Sequence, residues 1–162
     1  MQRVDKATLK VGENLESISC GVICYVVFLK DTKFENVENL ATKFLNIKIY
    51  KSEEIKKASN LIESKIDLMI IPQASLSGKM KGNSIQFHSL LEKIEAEKCY
   101  KHFVQIVRSK ISTGEENRFF RFFFFFFFLS LKSPKVVSGI YSNTQELEMK
   151  SVIGPNTTEL EF

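Results

Sequence analysis

Seven consecutive phenylalanines, Phe122 to Phe128, sit inside "RFFRFFFFFFFLSLK" at residues 118–132 and limit what this chain can fold into more than any other feature. A membrane-crossing helix needs about 20 mainly apolar residues. The run from Phe119 to Leu131 is shorter and is broken by Arg121. The flanking basic residues suit an interfacial anchor, but no polar face makes the segment amphipathic. As a buried strand, identical bulky side chains would fill both faces, whereas cores favour mixed shapes. Without proline or charge inside it, the segment is an aggregation hazard. A fourth reading is genetic. Phe, Leu and Ser codons are pyrimidine-rich, and a Phe run followed by "LSLK" is what a retained intron end would encode. Three readings stay open at this point: a splicing or gene-model artefact, a real but unpacked insertion, and a membrane role.

The composition of the whole chain, 44% hydrophobic and 26% charged, is that of an ordinary soluble globule. Its 162 residues fit one domain, 1–162, carrying an atypical Phe-rich insertion at about 114–131. The net charge of +4 is compatible with a polyanionic partner and equally with simple solubility. Three cysteines without a CxxC spacing argue against a disulfide framework or a zinc site. Cys20 and Cys24 are expected on one face of a strand as small buried hydrophobes, in a reducing compartment. "MQRVDKATLKV" has no long apolar core, so no signal peptide is expected and the cytoplasm is the default location.

Periodicity places the elements. "QRVDKATLKV" alternates imperfectly and predicts a half-buried strand; "GENLES" predicts a turn. "ISCGVICYVVFLK" predicts a central strand, with Gly21 marking a bulge. In "FENVENLATKFLNI" the period changes to three and four, which is one helix face. "IKIY" reads as a short strand, "KSEEIKKASNLIESK" as loop or weak structure, and "IDLMIIP" as a buried strand ended by Pro72. "QASLSGKMKGNSIQFHS" reads as strand, loop and strand. The strongest helix is "EKIEAEKCYKHFVQIVRSKIS", with Ile94, Cys99, Phe103, Ile106, Val107 and Ile111 near one face. The tail from Lys135 reads as three strands separated by turns at "YSNTQ" and "IGPN". This order predicts an α+β domain: a mostly antiparallel sheet, or partly open barrel, with two helices.

Two segments carry a resemblance. "LMIIPQASLSGKMKGNSIQFH" and "IGPNTTELEF" together resemble the D-aminoacyl-tRNA deacylase family, most closely its animal branch. That branch has "PQATL" where this chain has Pro72, Gln73, Ala74, Ser75 and Leu76. It has Gly-Pro followed by Phe-Thr-His where this chain has Gly154, Pro155, Asn156, Thr157 and Thr158. Lys81-Gly82, Gln86 to His88, Leu45-Asn46 with Lys48, and the opening "QRV" add support. The likeness covers nearly the whole chain and fails in the polar middle and from about Gly114 to Leu131. Relatives make that connection much more briefly, which favours the artefact reading of the phenylalanines.

The resemblance implies an aminoacyl-tRNA deacylase. Ester hydrolysis needs a placed water and donors aimed at the developing oxyanion, and backbone N–H groups can serve. In the family the site is built largely from main chain, here Gln73, Ala74 and Ser75, with the ribose 2′-hydroxyl assisting. Pro72, Gly154, Pro155 and Thr157 would bind substrate, the Gly-Pro pair reaching across a homodimer interface. The animal branch is associated with a trans form of that pair and a looser pocket, admitting L-alanine misplaced on threonine tRNA as well as D-amino acids. Ile153 and Asn156 depart from the family's Asn and Phe and would reshape that wall. Read without the family, Ser75 is a strand-end serine bonding its own backbone, and Gly-Pro is an ordinary turn former.

Lys79 and Lys81 are the expected tRNA contacts, with Lys98, Lys101, Arg108 and Lys110 as an extension or a solvated helix face. His88 could approach Ser75, but no orienting acid is evident from spacing; His102 is expected at the surface or in packing. No phosphate loop and no metal-ligand cluster appears, so no cofactor and no metal are expected. The rival readings are a catalytically impaired homologue that binds tRNA, and a membrane-associated protein.

Overall fold

The computed structural model describes residues 1–48, 59–119 and 134–151, with side chains described outside 113–119. The expected strand at "IKIY", the last strand of the tail, the Gly154-Pro155 pair and the phenylalanine tract therefore fall wholly or mostly outside the described residues.

Strand β1 (Gln2–Val11) turns through Gly12 and Glu13 into β2 (Asn14–Ile18). Gly12 takes φ +61, the left-handed conformation that a tight hairpin asks of its first central residue. Strand β3 (Gly21–Val26) continues along the same edge of β1. Ala7 faces Ile18 and Val4 faces Gly21, so the register advances by three on both strands across Ser19 and Cys20. The single strand expected from Ile18 onward is thus two strands joined by a two-residue bend. The expected turn at "GENLES" shrinks to its first residues, because Asn14 already pairs with Val11.

Beyond β3 the sheet becomes parallel. Strand β4 (Asp67–Pro72) pairs parallel to β3, and β7 (Val136–Ser138) parallel to β4. On the far side of β1, β8 (Glu146–Ser151) adds antiparallel, with a register shift between Val4 and Lys6. The result is a mixed, nearly closed sheet in the α+β class expected. One side of it, β8, β1 and β2, is antiparallel, and the other, from β3 through β4 to β7, is parallel. β4 is buried along Asp67–Ile71, and a continuous apolar run rather than an alternating one is what a strand covered on both faces requires.

Alternation divides that burial. Val22, Cys24, Leu68 and Ile70 face the helices, and Ile23, Met69 and Ile71 face the inside of the curl with Val4, Leu9, Ile18 and Val137. Helix α1 (Val37–Asn46) contributes Val37, Ala41, Phe44 and Leu45 to the first layer. The long helix spans Lys93–Phe119; it is α3, following the short α2 (Leu61–Ser64). It buries Cys99, Tyr100, Phe103, Val104, Val107 and Ile111. Ile94, expected on that face, is 62% exposed, because the buried stripe runs through Ala96, Cys99, Tyr100, Phe103 and Val107 and the helical period puts Ile94 on the opposite side, with exposed Lys98 and Lys101. Cys20, expected to be buried, is exposed at the bend, whereas Cys24 is buried. The segment read as loop holds α2, started by Asn60, whose side chain accepts from the Glu63 N–H while Glu63 accepts from the Asn60 N–H.

Candidate functional site

Because β3, β4 and β7 run parallel, their carboxyl ends meet at one edge of the sheet, where open α/β arrangements place ligands. At that edge β4 ends at Pro72, and the Gln73 N–H donates a last rung to the Val26 carbonyl at 2.9 Å. Gln73 stays extended, and Ala74–Ser77 close a single 3-10 turn. The Leu76 N–H donates to the Gln73 carbonyl and the Gly78 N–H to the Ser75 carbonyl. The first two donors of such a turn have no carbonyl behind them to bond. The Ala74 and Ser75 N–H groups accordingly stand exposed with no hydrogen-bond acceptor among the described residues.

The turn is held from below. Ser77 is buried, its hydroxyl donates to the Ala74 carbonyl at 2.9 Å, and Ser89 donates to the Ser77 carbonyl at 3.3 Å. The Gln73 amide donates from Nε2 to Ser75 Oγ at 2.7 Å. Ser75 is therefore tied to a neighbouring side chain, not to its own backbone. His88 is exposed and makes no hydrogen bond to Ser75. Among the described residues the hydroxyl has no base beside it, so the turn offers donors rather than an activated nucleophile.

Beside Gln73 opens a cleft of about 280 Å³. Leu9, Ile71 and Leu147 give it apolar walls, Tyr25 and Pro72 a flat side, and Gln73, Asn143 and Gln145 a rim of amides. Burial pushes the Tyr25 phenol above its ordinary range, so it keeps its proton and remains a donor. Of the residues expected at the site, Pro72 and Gln73 line this cleft, and Ala74 and Ser75 follow in the adjoining 3-10 turn. Lys79 and Lys81 follow directly on β5 (Lys79–Lys81), which forms a small hairpin with β6 (Ser84–Gln86). Both are exposed and have no ion-pair partner among the described residues. Gly154, Pro155 and Thr157 lie outside the described residues.

The basic residues of α3 are placed differently. Lys98 pairs with Glu95 at 2.7 Å, Lys101 with Glu97 at 2.6 Å and Lys110 with Glu38 at 3.9 Å, while Arg108 donates to Ser138 Oγ. This is a salt-bridge-laced helix face. His102 stacks on Phe34 at 4.8 Å between ring centres, in packing as expected. Among the described residues, no group of three or more His, Cys, Asp or Glu is placed to hold a metal ion, and no helix is long and apolar enough to cross a membrane.

Sequence reasoning missed Leu9, Tyr25, Asn143, Gln145 and Leu147. They converge only through the β1–β8 pairing, between residues more than a hundred apart. The "YSNTQ" segment does signal a turn, but no local pattern shows that its amides face Gln73.

The family model of D-Tyr-tRNA(Tyr) deacylase matches residues 1–161. The chain belongs to this family. Members hydrolyse the ester of an aminoacyl-tRNA. Similar proteins include D-aminoacyl-tRNA deacylase 2 of Danio rerio, 27% identical over 145 residues, covering 90% of this chain and 81% of that one. The D-aminoacyl-tRNA deacylase of Thermodesulfovibrio yellowstonii is 31% identical over 124 residues, covering 75% and 85%. A solved structure of "a probable eukaryotic D-amino acid tRNA deacylase" superposes with a TM-score of 0.73 at 28% identity, covering 93% and 91%. The deacylase family and the closeness to its animal-type members, expected from Pro72–Leu76 and the tail, are both supported by these matches.

Proposed function

We propose that this deacylase hydrolyses D-aminoacyl-tRNA and mischarged L-alanyl-tRNA(Thr), as a cytoplasmic homodimer that proofreads translation. The observation that carries the reading is the pair of N–H groups on the exposed Ala74 and Ser75, without acceptors among the described residues, in the turn that directly follows the cleft-lining Gln73. In this reading water adds to the ester carbonyl carbon, and the oxyanion that forms accepts from those two N–H groups. The bond to the ribose oxygen then breaks and that oxygen takes the proton. Free amino acid and uncharged tRNA leave. The ribose 2′-hydroxyl assists, and Pro72 shapes the pocket floor. Gly154, Pro155 and Thr157 of one protomer would screen the amino acid at the site of its partner. Lys79 and Lys81, free of ion pairs among the described residues, would meet tRNA phosphates. Editing of this kind is needed because a synthetase pocket rejects a smaller side chain weakly by binding alone.

A second reading, a tRNA-binding homologue with impaired catalysis, rests on Ile153 and Asn156, which replace the family's residues beside Gly154-Pro155. A time course of alanyl-tRNA(Thr), glycyl-tRNA and D-tyrosyl-tRNA hydrolysis separates them. Loss of L-alanine and D-tyrosine well above the spontaneous rate is expected. Loss of D-tyrosine alone would restrict the enzyme to chirality checking. Salt-dependent tRNA binding without any hydrolysis would establish the second reading.

A further inference from the structure

The segment Gly139–Gln145 forms one wall of the cleft, and its two ends are fastened. At its start the Gly139 N–H donates to the Ile70 carbonyl at 2.8 Å, and the buried Tyr100 hydroxyl lies 2.9 Å from the Ile70 carbonyl and 3.0 Å from that of Gly139. At its end β8 pairs along β1. Between them, Gln145 bonds one residue twice: its Oε1 accepts the Ile140 N–H at 3.0 Å and its Nε2 donates to the Ile140 carbonyl at 3.2 Å. A side chain here replaces a strand partner, closing the loop as a backbone rung would. The loop within this latch holds Ser142 at φ +62, a conformation that a non-glycine residue keeps only where its surroundings impose it. The same amide lies against Gly139, which also sits close to Pro72. A Cβ built at Gly139 would overlap Gln145 Oε1 and stand 3.0 Å from Pro72 Cδ.

We propose that Gln145 is a positioning residue: by latching Ile140 it fixes the Gly139–Gln145 wall against Pro72, and so sets the cleft width and the place of the Asn143 amide at its rim. Its action is on substrate fit rather than on the reacting atoms. Gly139 belongs to the same device, because the absence of a Cβ leaves room for the latch.

Two routes open the latch: removing the amide (Gln145→Ala) or displacing it (Gly139→Ala). With D-tyrosyl-tRNA as probe, each variant is expected to raise KM about tenfold while kcat stays within about twofold, as lost ground-state fit requires. The double variant is expected to be no worse than either single one, since both remove one interaction. Hydrogen exchange at the Ile140 amide is expected to accelerate in all three. The kinetic readout rests on the deacylase reading, but the exchange readout does not. If the wild-type chain cleaves no ester, that reading fails while Ile140 exchange still tests the latch. Unchanged exchange in Gln145→Ala, or additive losses in the double variant, would overturn the proposal.

Discussion

Ala74 and Ser75 separate main-chain from side-chain chemistry. Proline lacks the N–H but suits the first position of a turn, and the extended Gln73 accepts a proline after it. Ala74→Pro should therefore keep the fold and lower kcat about 10²- to 10³-fold, the effect of losing one oxyanion donor. Ser75→Ala, which removes only the bond from Gln73, should remain within a few-fold of wild type in the same assay. The thiols differ as sharply. Burial pushes Cys24 from 9.0 up to about 12, so the folded thiol is protonated and inert at neutral pH. A thiol reagent should label exposed Cys20 in the native protein and reach Cys24 and Cys99 only on unfolding. An unfolded chain releases the Cys24 proton near pH 9.0, whereas the fold holds it to about 12. The folded state binds more protons in that window, so stability falls as pH rises through it, by up to about 1.4 kcal/mol per pH unit. Tyr100, also raised by burial, adds in the same direction at higher pH. Thermal unfolding at pH 8 and pH 10.5, with Cys24→Ala for comparison, measures the slope.

Element by element, legibility follows the range of the contacts. β1, α1 and α3 show in the sequence because their partners impose a period of two or of 3.6 along the segment itself. The parallel side of the sheet does not show. An apolar run such as "IDLMIIP" says that both faces of β4 are covered, but not which way its neighbours run. The Asn60–Glu63 capping pair is present in "NLIE" and is obscured by the charged residues before it. The bend at Ser19 and Cys20 is invisible, since what fixes it is distant: the buried Asp67 carboxylate accepts from the Ser19 N–H at 2.8 Å and the Lys135 N–H at 2.9 Å. Asp67→Ala leaves those donors without this acceptor and should cost about 1–3 kcal/mol in denaturant unfolding. Gly21, expected as a bulge, is instead a close approach, where a Cβ would overlap the Asp67 carbonyl. Gly21→Ala should destabilise by about 1–3 kcal/mol, since backbone rather than a flexible side chain would have to move. At the site, Pro72 to Ser75 are named by the family resemblance, which one contiguous stretch can carry, although the 3-10 turn at Ala74–Ser77 does not show in it; the opposite wall is not legible, because Asn143 and Gln145 reach the cleft only through the distant β1–β8 pairing.

Across the molecule, Lys79 and Lys81 of the β5–β6 hairpin, without ion-pair partners among the described residues, follow the Ala74–Ser77 turn, while Lys98, Lys101 and Lys110 of α3 are paired. Lys79→Ala with Lys81→Ala should therefore reduce the dependence of log K on log salt for tRNA binding by nearly two units, whereas Lys98→Ala should leave it almost unchanged. Filter binding across a salt series distinguishes the two. The β1–β8 pairing has a consequence for synthesis. Leu9 emerges from the ribosome long before Leu147, yet both wall the same cleft. The β1–β2 hairpin can form as soon as its turn appears, but β1 must keep its other edge unfilled until β8 arrives. A chain interrupted anywhere before Glu146 lacks the strand that completes the cleft, however much of its sheet has already assembled. A growing chain therefore acquires this pocket only after Glu146–Ser151 has been made.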